Sequence, residues 1–132
     1  MARFTRLQVI NDLLSTGLIP LFFEKDAQLA LAVVKACQEG GAHIVEFTNR
    51  GDFAWKTFGE LESALAQGGS PVILGAGTID DAPTAAIYIA SGANFIVSPS
   101  FNVEVARLCN RRKIPYFPGC ATLTEIATAE EW

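Results

Sequence analysis

Histidine occurs once, at His43, and cysteine three times, at Cys37, Cys109 and Cys120, with no Cys-x-x-Cys pair. Three widely separated cysteines give no disulfide framework, and one imidazole cannot complete a zinc-ligand set, so neither staple nor metal is expected. Basic charge is scarce too: Lys+Arg number 10 against 14 Asp+Glu, a net charge of -4. Nucleic-acid backbones are held by clustered Lys and Arg, so DNA and RNA are not expected partners. No stretch reaches the ~20 apolar residues of a membrane-spanning helix, and the opening Met-Ala-Arg-Phe lacks the apolar core of a secretory signal. These absences predict a soluble cytoplasmic protein with no membrane partner. No linker, charge block or low-complexity tract divides the 132 residues, half of them hydrophobic, so a single domain over 1–132 is expected.

What is present is a repeated alternation. Short apolar runs occur at Leu18–Phe23, His43–Thr48, Val72–Leu74, Asn94–Val97 and Ile114–Phe117. Between them apolar residues fall at helical spacing, as in Ala27, Ala30, Leu31, Val34 and Cys37, or Ala54, Phe58, Leu61 and Leu65. Glycines at 17, 40, 41, 68, 69 and 92 stand where helices should stop. Asp80 and Asp81 with Pro83, then Asn102, then the Thr122–Glu125 capping box mark helix starts. The stretch Phe4–Leu14 predicts an extra helix before the first strand. Continuous apolar strands alternating with helices predict a parallel α/β sheet of five βα units, buried on both faces. Two architectures accommodate them: part of a TIM (β/α)8 barrel, or an open flavodoxin-like sheet.

The second strand carries a charge. Along Ile44-Val45-Glu46-Phe47-Thr48 side chains alternate, so Ile44, Glu46 and Thr48 share one face. A mid-strand glutamate is costly unless paired or solvated. It predicts either a structural ion pair with Arg50 or a buried general acid/base of raised pKa, with Arg50 holding an anionic substrate. The third strand ends in Gly75-Ala-Gly-Thr78, ahead of the helix start at Asp80. Its small residues predict close approach of a ligand to the backbone, with the Thr78 hydroxyl and N–H at the strand's carboxyl end. It is neither a spaced dinucleotide fingerprint nor a phosphate loop. Ser98-Pro99-Ser100 and Pro118-Gly119-Cys120 read as turns. Cys120 and His43 read as structural residues, and Arg111-Arg112-Lys113 as a solvated helix terminus.

Together, Gly40-Gly41-Ala-His-Ile-Val-Glu46-Phe-Thr48-Asn-Arg50, Gly75-Ala-Gly-Thr78, Gly92-Ala-Asn-Phe-Ile-Val-Ser98-Pro99 and Pro118-Gly119-Cys-Ala-Thr122-Leu-Thr124-Glu125 resemble the 2-keto-3-deoxy-6-phosphogluconate aldolase family, including its 4-hydroxy-2-oxoglutarate aldolase members. The resemblance covers nearly the whole chain in order and spacing. It implies a (β/α)8 barrel of carbohydrate metabolism, typically a homotrimer. Such a carbon–carbon lyase splits a 2-keto-3-deoxy sugar acid into pyruvate and an aldehyde through a Schiff base, without metal or other cofactor. By the same resemblance Glu46 is the proton-shuttling catalytic residue, and Arg50 and Thr78 are the substrate-binding groups on the pyruvate carboxylate. Phe22 and Phe23 stand where many members carry Arg near the end of the first strand, and Leu123 where many carry Pro.

The resemblance also implies a Schiff-base lysine on a sixth strand, beyond Trp132. Lys25, Lys35, Lys56 and Lys113 all fall in loops, on helices or at a helix end, so none is a candidate for the activated amine. The expectation is therefore the N-terminal part of an aldolase barrel that is inactive alone. Its open edges and uncovered inner face make the alternative a catalytically inactive half-barrel module that self-associates. Weaker still is a barrel isomerase that uses Glu46 without a Schiff base.

Overall fold

The computed structural model describes residues 2–132. A first helix, α1 (Arg6–Thr16), precedes five strand–helix units: β1 (Leu21–Phe22), α2 (Ala27–Glu39), β2 (Ile44–Thr48), α3 (Ala54–Gln67), β3 (Ile73–Gly77), α4 (Ala82–Ala90), β4 (Ile96–Ser98), α5 (Val103–Arg112), β5 (Tyr116–Pro118) and α6 (Leu123–Glu130).

Side-chain oxygens supply the missing partners of most helix N-termini. Asp26 caps α2, Asp81 caps α4 ahead of Pro83, and Asn102 caps α5. Reciprocal capping boxes open α1, through Thr5 and Gln8, and α6, through Thr122 and Glu125. The Thr5 box explains why α1 starts at Arg6, two residues later than the apolar spacing suggests.

All strand pairs are parallel and the sheet order is β1-β2-β3-β4-β5. A doubly wound sheet needs a point where strand order reverses, and this order has none. The flavodoxin-like alternative is thereby set aside. Helices α2 to α5 all pack on one face, where Val34, Phe58, Leu61, Tyr88 and Cys109 meet Val45, Phe47, Leu74 and Ile96. The opposite face carries Ile44, Ile73 and Phe95, and Val9 of α1 packs against them. The sheet is singly wound, with helices outside and α1 closing the amino ends of the strands within.

Gly75 and Gly77 form the end of the third strand, inside β3 and paired with Glu46 and Thr48 of β2. One expectation needs correction: the inner face is not bare, since Glu46 is 6% and Thr48 1% exposed. The amino-terminal side of β3 and β4 is tied by a buried network. Arg3 Nε meets Glu62 Oε1 at 2.6 Å, and the same guanidinium donates to the carbonyls of Ser70 and Val72. The Asn94 side chain accepts from the N–H groups of Arg3 and Phe4 and donates to the Leu74 carbonyl.

Candidate active site

Strand alternation turns Val45 and Phe47 toward the helices and Ile44, Glu46 and Thr48 toward the inside. Glu46 lies in register with Leu21 on β1 and Gly75 on β3. Its carboxyl reaches along the sheet and rests over Gly77, where any Cβ would overlap Oε1. A ring edge of Phe95 likewise occupies the space that a Cβ on Gly75 would take. The room left by the two glycines is therefore used by the protein's own side chains, not left open to a ligand.

Burial pushes the Glu46 carboxyl above its ordinary pKa, and the positive charge of Arg50 offsets part of that rise. The two residues form no ion pair: among the described residues, salt bridges join only Arg3 to Glu62 and Arg107 to Glu104. The structural-pair reading of this strand is thus corrected. Arg50 lies beyond the strand end, and its side chain is exposed, where water solvates a guanidinium at little cost. Its backbone N–H donates to the Thr48 carbonyl at 2.9 Å, a tight turn centred on Asn49.

Thr78 follows β3 directly, half-buried, at φ +59°. A β-branched residue in this left-handed region is uncommon and costs about 1–3 kcal/mol, a strain that concentrates at functional sites. Glu46, Arg50 and Thr78 are thus brought to the carboxyl side of two adjacent parallel strands, the side on which α/β folds bind ligands.

The neighbouring turns do structural work. The Ser98 hydroxyl donates to the Ile79 carbonyl, and the Gly119 N–H donates to the Ser98 carbonyl at 2.8 Å. Gly119 has no room for a Cβ because the Pro99 carbonyl fills it. Cys120 is half-buried with Sγ near the Pro118 carbonyl. Phe22 and Phe23 both pack on Phe47, with ring centroids 5.6 and 5.8 Å away. All four lysines are exposed and none lies on a strand. Among the described residues no group of three His, Cys, Asp or Glu could hold a metal ion.

Two participants were invisible to spacing. Asn49 donates its backbone N–H to the Gly77 carbonyl at 2.8 Å, and its side-chain oxygen accepts from the Tyr88 hydroxyl at 2.9 Å. Tyr88 lies 39 residues away, on α4, so no local pattern signals the contact.

Residues 9–132 match the family described as "Aldolase: KDPG and KHG aldolase". The chain belongs to this aldolase family. It is 35% identical over 126 residues to a 2-dehydro-3-deoxy-phosphogluconate aldolase of Treponema pallidum, covering 96% of this chain and 58% of that protein. Against the KHG/KDPG aldolase of Escherichia coli K12 it is 29% identical over 117 residues, 88% of this chain and 53% of the relative. A solved 4-hydroxy-2-oxoglutarate/2-dehydro-3-deoxyphosphogluconate aldolase superposes with a TM-score of 0.79 at 29% identity, over 97% of this chain and 60% of that one. The KDPG aldolase of Legionella pneumophila, with pyruvate captured as a covalent carbinolamine, matches with a TM-score of 0.76 at 28% identity, over 86% of this chain and 53% of that one. The fold is that of the TIM-barrel-like KDPG aldolases, of which five (β/α) units stand here. The chain spans a little over half the length of the curated relatives it matches.

Proposed function

We propose that this KDPG/KHG aldolase-family chain is the N-terminal part of a class I aldolase barrel, a lyase acting on a 2-keto-3-deoxy sugar acid. Its substrate is 2-keto-3-deoxy-6-phosphogluconate or 4-hydroxy-2-oxoglutarate, and its products are pyruvate and an aldehyde. The observation that carries this reading is the buried carboxyl of Glu46, kept above its usual pKa by desolvation and aimed along the inner face at the ligand-binding side. A carboxyl so placed can both take and return a proton near neutral pH.

Cleavage of the bond between C3 and the hydroxyl-bearing C4 needs a base for the C4 hydroxyl proton and an electron sink at the C2 keto carbon. Glu46 supplies the base, then returns the proton to the carbon that becomes the pyruvate methyl. The sink is a lysine iminium, and Lys25, Lys35, Lys56 and Lys113 are all exposed and off the strands, without the apolar surroundings that activate an amine. The amine therefore comes from outside these 132 residues. Arg50 offers an exposed guanidinium fork for the keto-acid carboxylate, and Thr78 a hydroxyl and an N–H at the end of the neighbouring strand β3. The homotrimer, and the role in cytoplasmic carbohydrate metabolism, are likewise proposed from the family.

Treatment with pyruvate and borohydride tests the reading. The protein extended through one further strand should acquire a reduced pyruvate adduct on a lysine, read by mass spectrometry; a folded protein with no adduct refutes the aldolase assignment. The 132-residue chain alone should release no pyruvate from either substrate above background.

A further inference from the structure

The exposed Arg50 side chain makes no hydrogen bond or ion pair among the described residues, so whatever aims it must act through its backbone. That backbone is held on both sides. Asn49, immediately before it, is pinned at two points on two different elements: its N–H to the Gly77 carbonyl of β3, and its side-chain oxygen to the Tyr88 hydroxyl of α4. On the other side the Phe23 ring closes on Gly51, where a Cβ would meet it at 2.5 Å.

Tyr88 is itself immobilised. It is 1% exposed, and its ring stands edge-on to Phe58 at 5.2 Å, which stands edge-on to Phe47 at 6.0 Å. A buried phenol hydroxyl that donates to a half-buried amide oxygen is costly to separate from it, because the hydroxyl then loses its partner away from water. Burial also pushes the Tyr88 phenol up to about 12, so the hydroxyl remains a donor throughout the working pH range.

We propose that Tyr88 is a positioning residue, acting through Asn49 to fix the backbone from which Arg50 reaches a 2-keto-acid carboxylate. The role assigned to Arg50 rests on the aldolase reading; the clamp itself does not. Tyr88→Phe removes only the hydroxyl and keeps the ring contacts, so the variant folds. In Asn49→Leu the partner is lost instead.

The test uses the 132-residue chain and two readouts. Backbone order parameters from NMR should fall at Arg50 and Gly51 in both single variants, and the double variant should be no worse than the worse single. The control Ile89→Val trims a buried side chain of α4 and should lower thermal stability without touching that order. Pyruvate, titrated against the Arg50 side-chain resonance, should bind about tenfold more weakly in Tyr88→Phe, the loss of one well-formed contact. Unchanged order at Arg50 in Tyr88→Phe, or an equal loss in Ile89→Val, overturns the proposal. If the order falls as described while the unsubstituted chain gives no pyruvate response, the clamp stands and the keto-acid role of Arg50 fails.

Discussion

A carboxyl under a sheet bears a cost that depends on pH, and Glu46 allows the sign to be worked out. Its folded pKa lies above the ordinary value of 4.5, chiefly through burial. Below that ordinary value it is protonated in both folded and unfolded chains. As pH rises through the window between the two pKa values the unfolded chain sheds the proton first, and stability falls. Glu62 shifts in the same direction, again mainly through burial and against the pull of Arg3. Urea unfolding should therefore show Glu46→Gln more stable than the unsubstituted chain at pH 8 and nearly equal to it at pH 4. An advantage that survives unchanged at pH 4 would assign it to something other than ionisation. In the aldolase proposed above, the same substitution should slow proton transfer by about 10²-fold, read from exchange of the pyruvate methyl protons. Gly77 gives the companion prediction. Gly77→Ala should cost about 1–3 kcal/mol by overpacking, and the double variant with Glu46→Ala should recover most of it in a double-mutant cycle. Strand alternation made the inward placement of Glu46 legible in the sequence. It could not show that a glycine two residues past its partner makes space for the carboxyl, since the lean of a side chain across strands leaves no period.

Among the elements, helix starts were the most legible feature, because a cap is a local bargain between one side chain and the next turn. Asn102 illustrates it: its Oδ1 accepts from the N–H groups of Glu104 and Val105, while Nδ2 reaches the Asp80 carbonyl. Asn102→Ala should cost about 1–2 kcal/mol in chemical unfolding, toward the upper end because the second tie is also cut. Strand ends were less legible. Gly75 and Gly77 look like turn residues, yet pairing with β2 keeps them in the sheet, a tertiary effect that outweighs their local preference. The start of α3 also escaped the sequence, for Phe53 stands at its N-cap with φ +59° and makes no side-chain cap bond. An asparagine tolerates that backbone far better than a phenylalanine. Phe53→Asn is expected to raise stability by about 0.5 kcal/mol despite losing the exposed contact with Lys56.

Among the described residues the sheet has two unpaired margins, β1 and β5, and exposed leucines lie at 7, 14, 18 and 21. Light scattering should show mass rising with protein concentration, and Leu21→Lys on the β1 margin should reduce the rise, as charges do on natural sheet edges. Integrity at the opposite end of the strands depends on the Arg3–Glu62 pair. Glu62→Ala removes the carboxylate partner of a partly exposed guanidinium and should cost about 1–3 kcal/mol, seen as a lower melting temperature. The parallel α/β class was legible from the alternation of elements; the choice of barrel over open sheet was not, since periodicity is silent on strand order. That order has a bearing on biogenesis. With every strand docked beside its immediate predecessor, a nascent chain leaving the ribosome finds each pairing surface already laid down, and assembly can proceed vectorially from the amino terminus without waiting for distant segments to arrive.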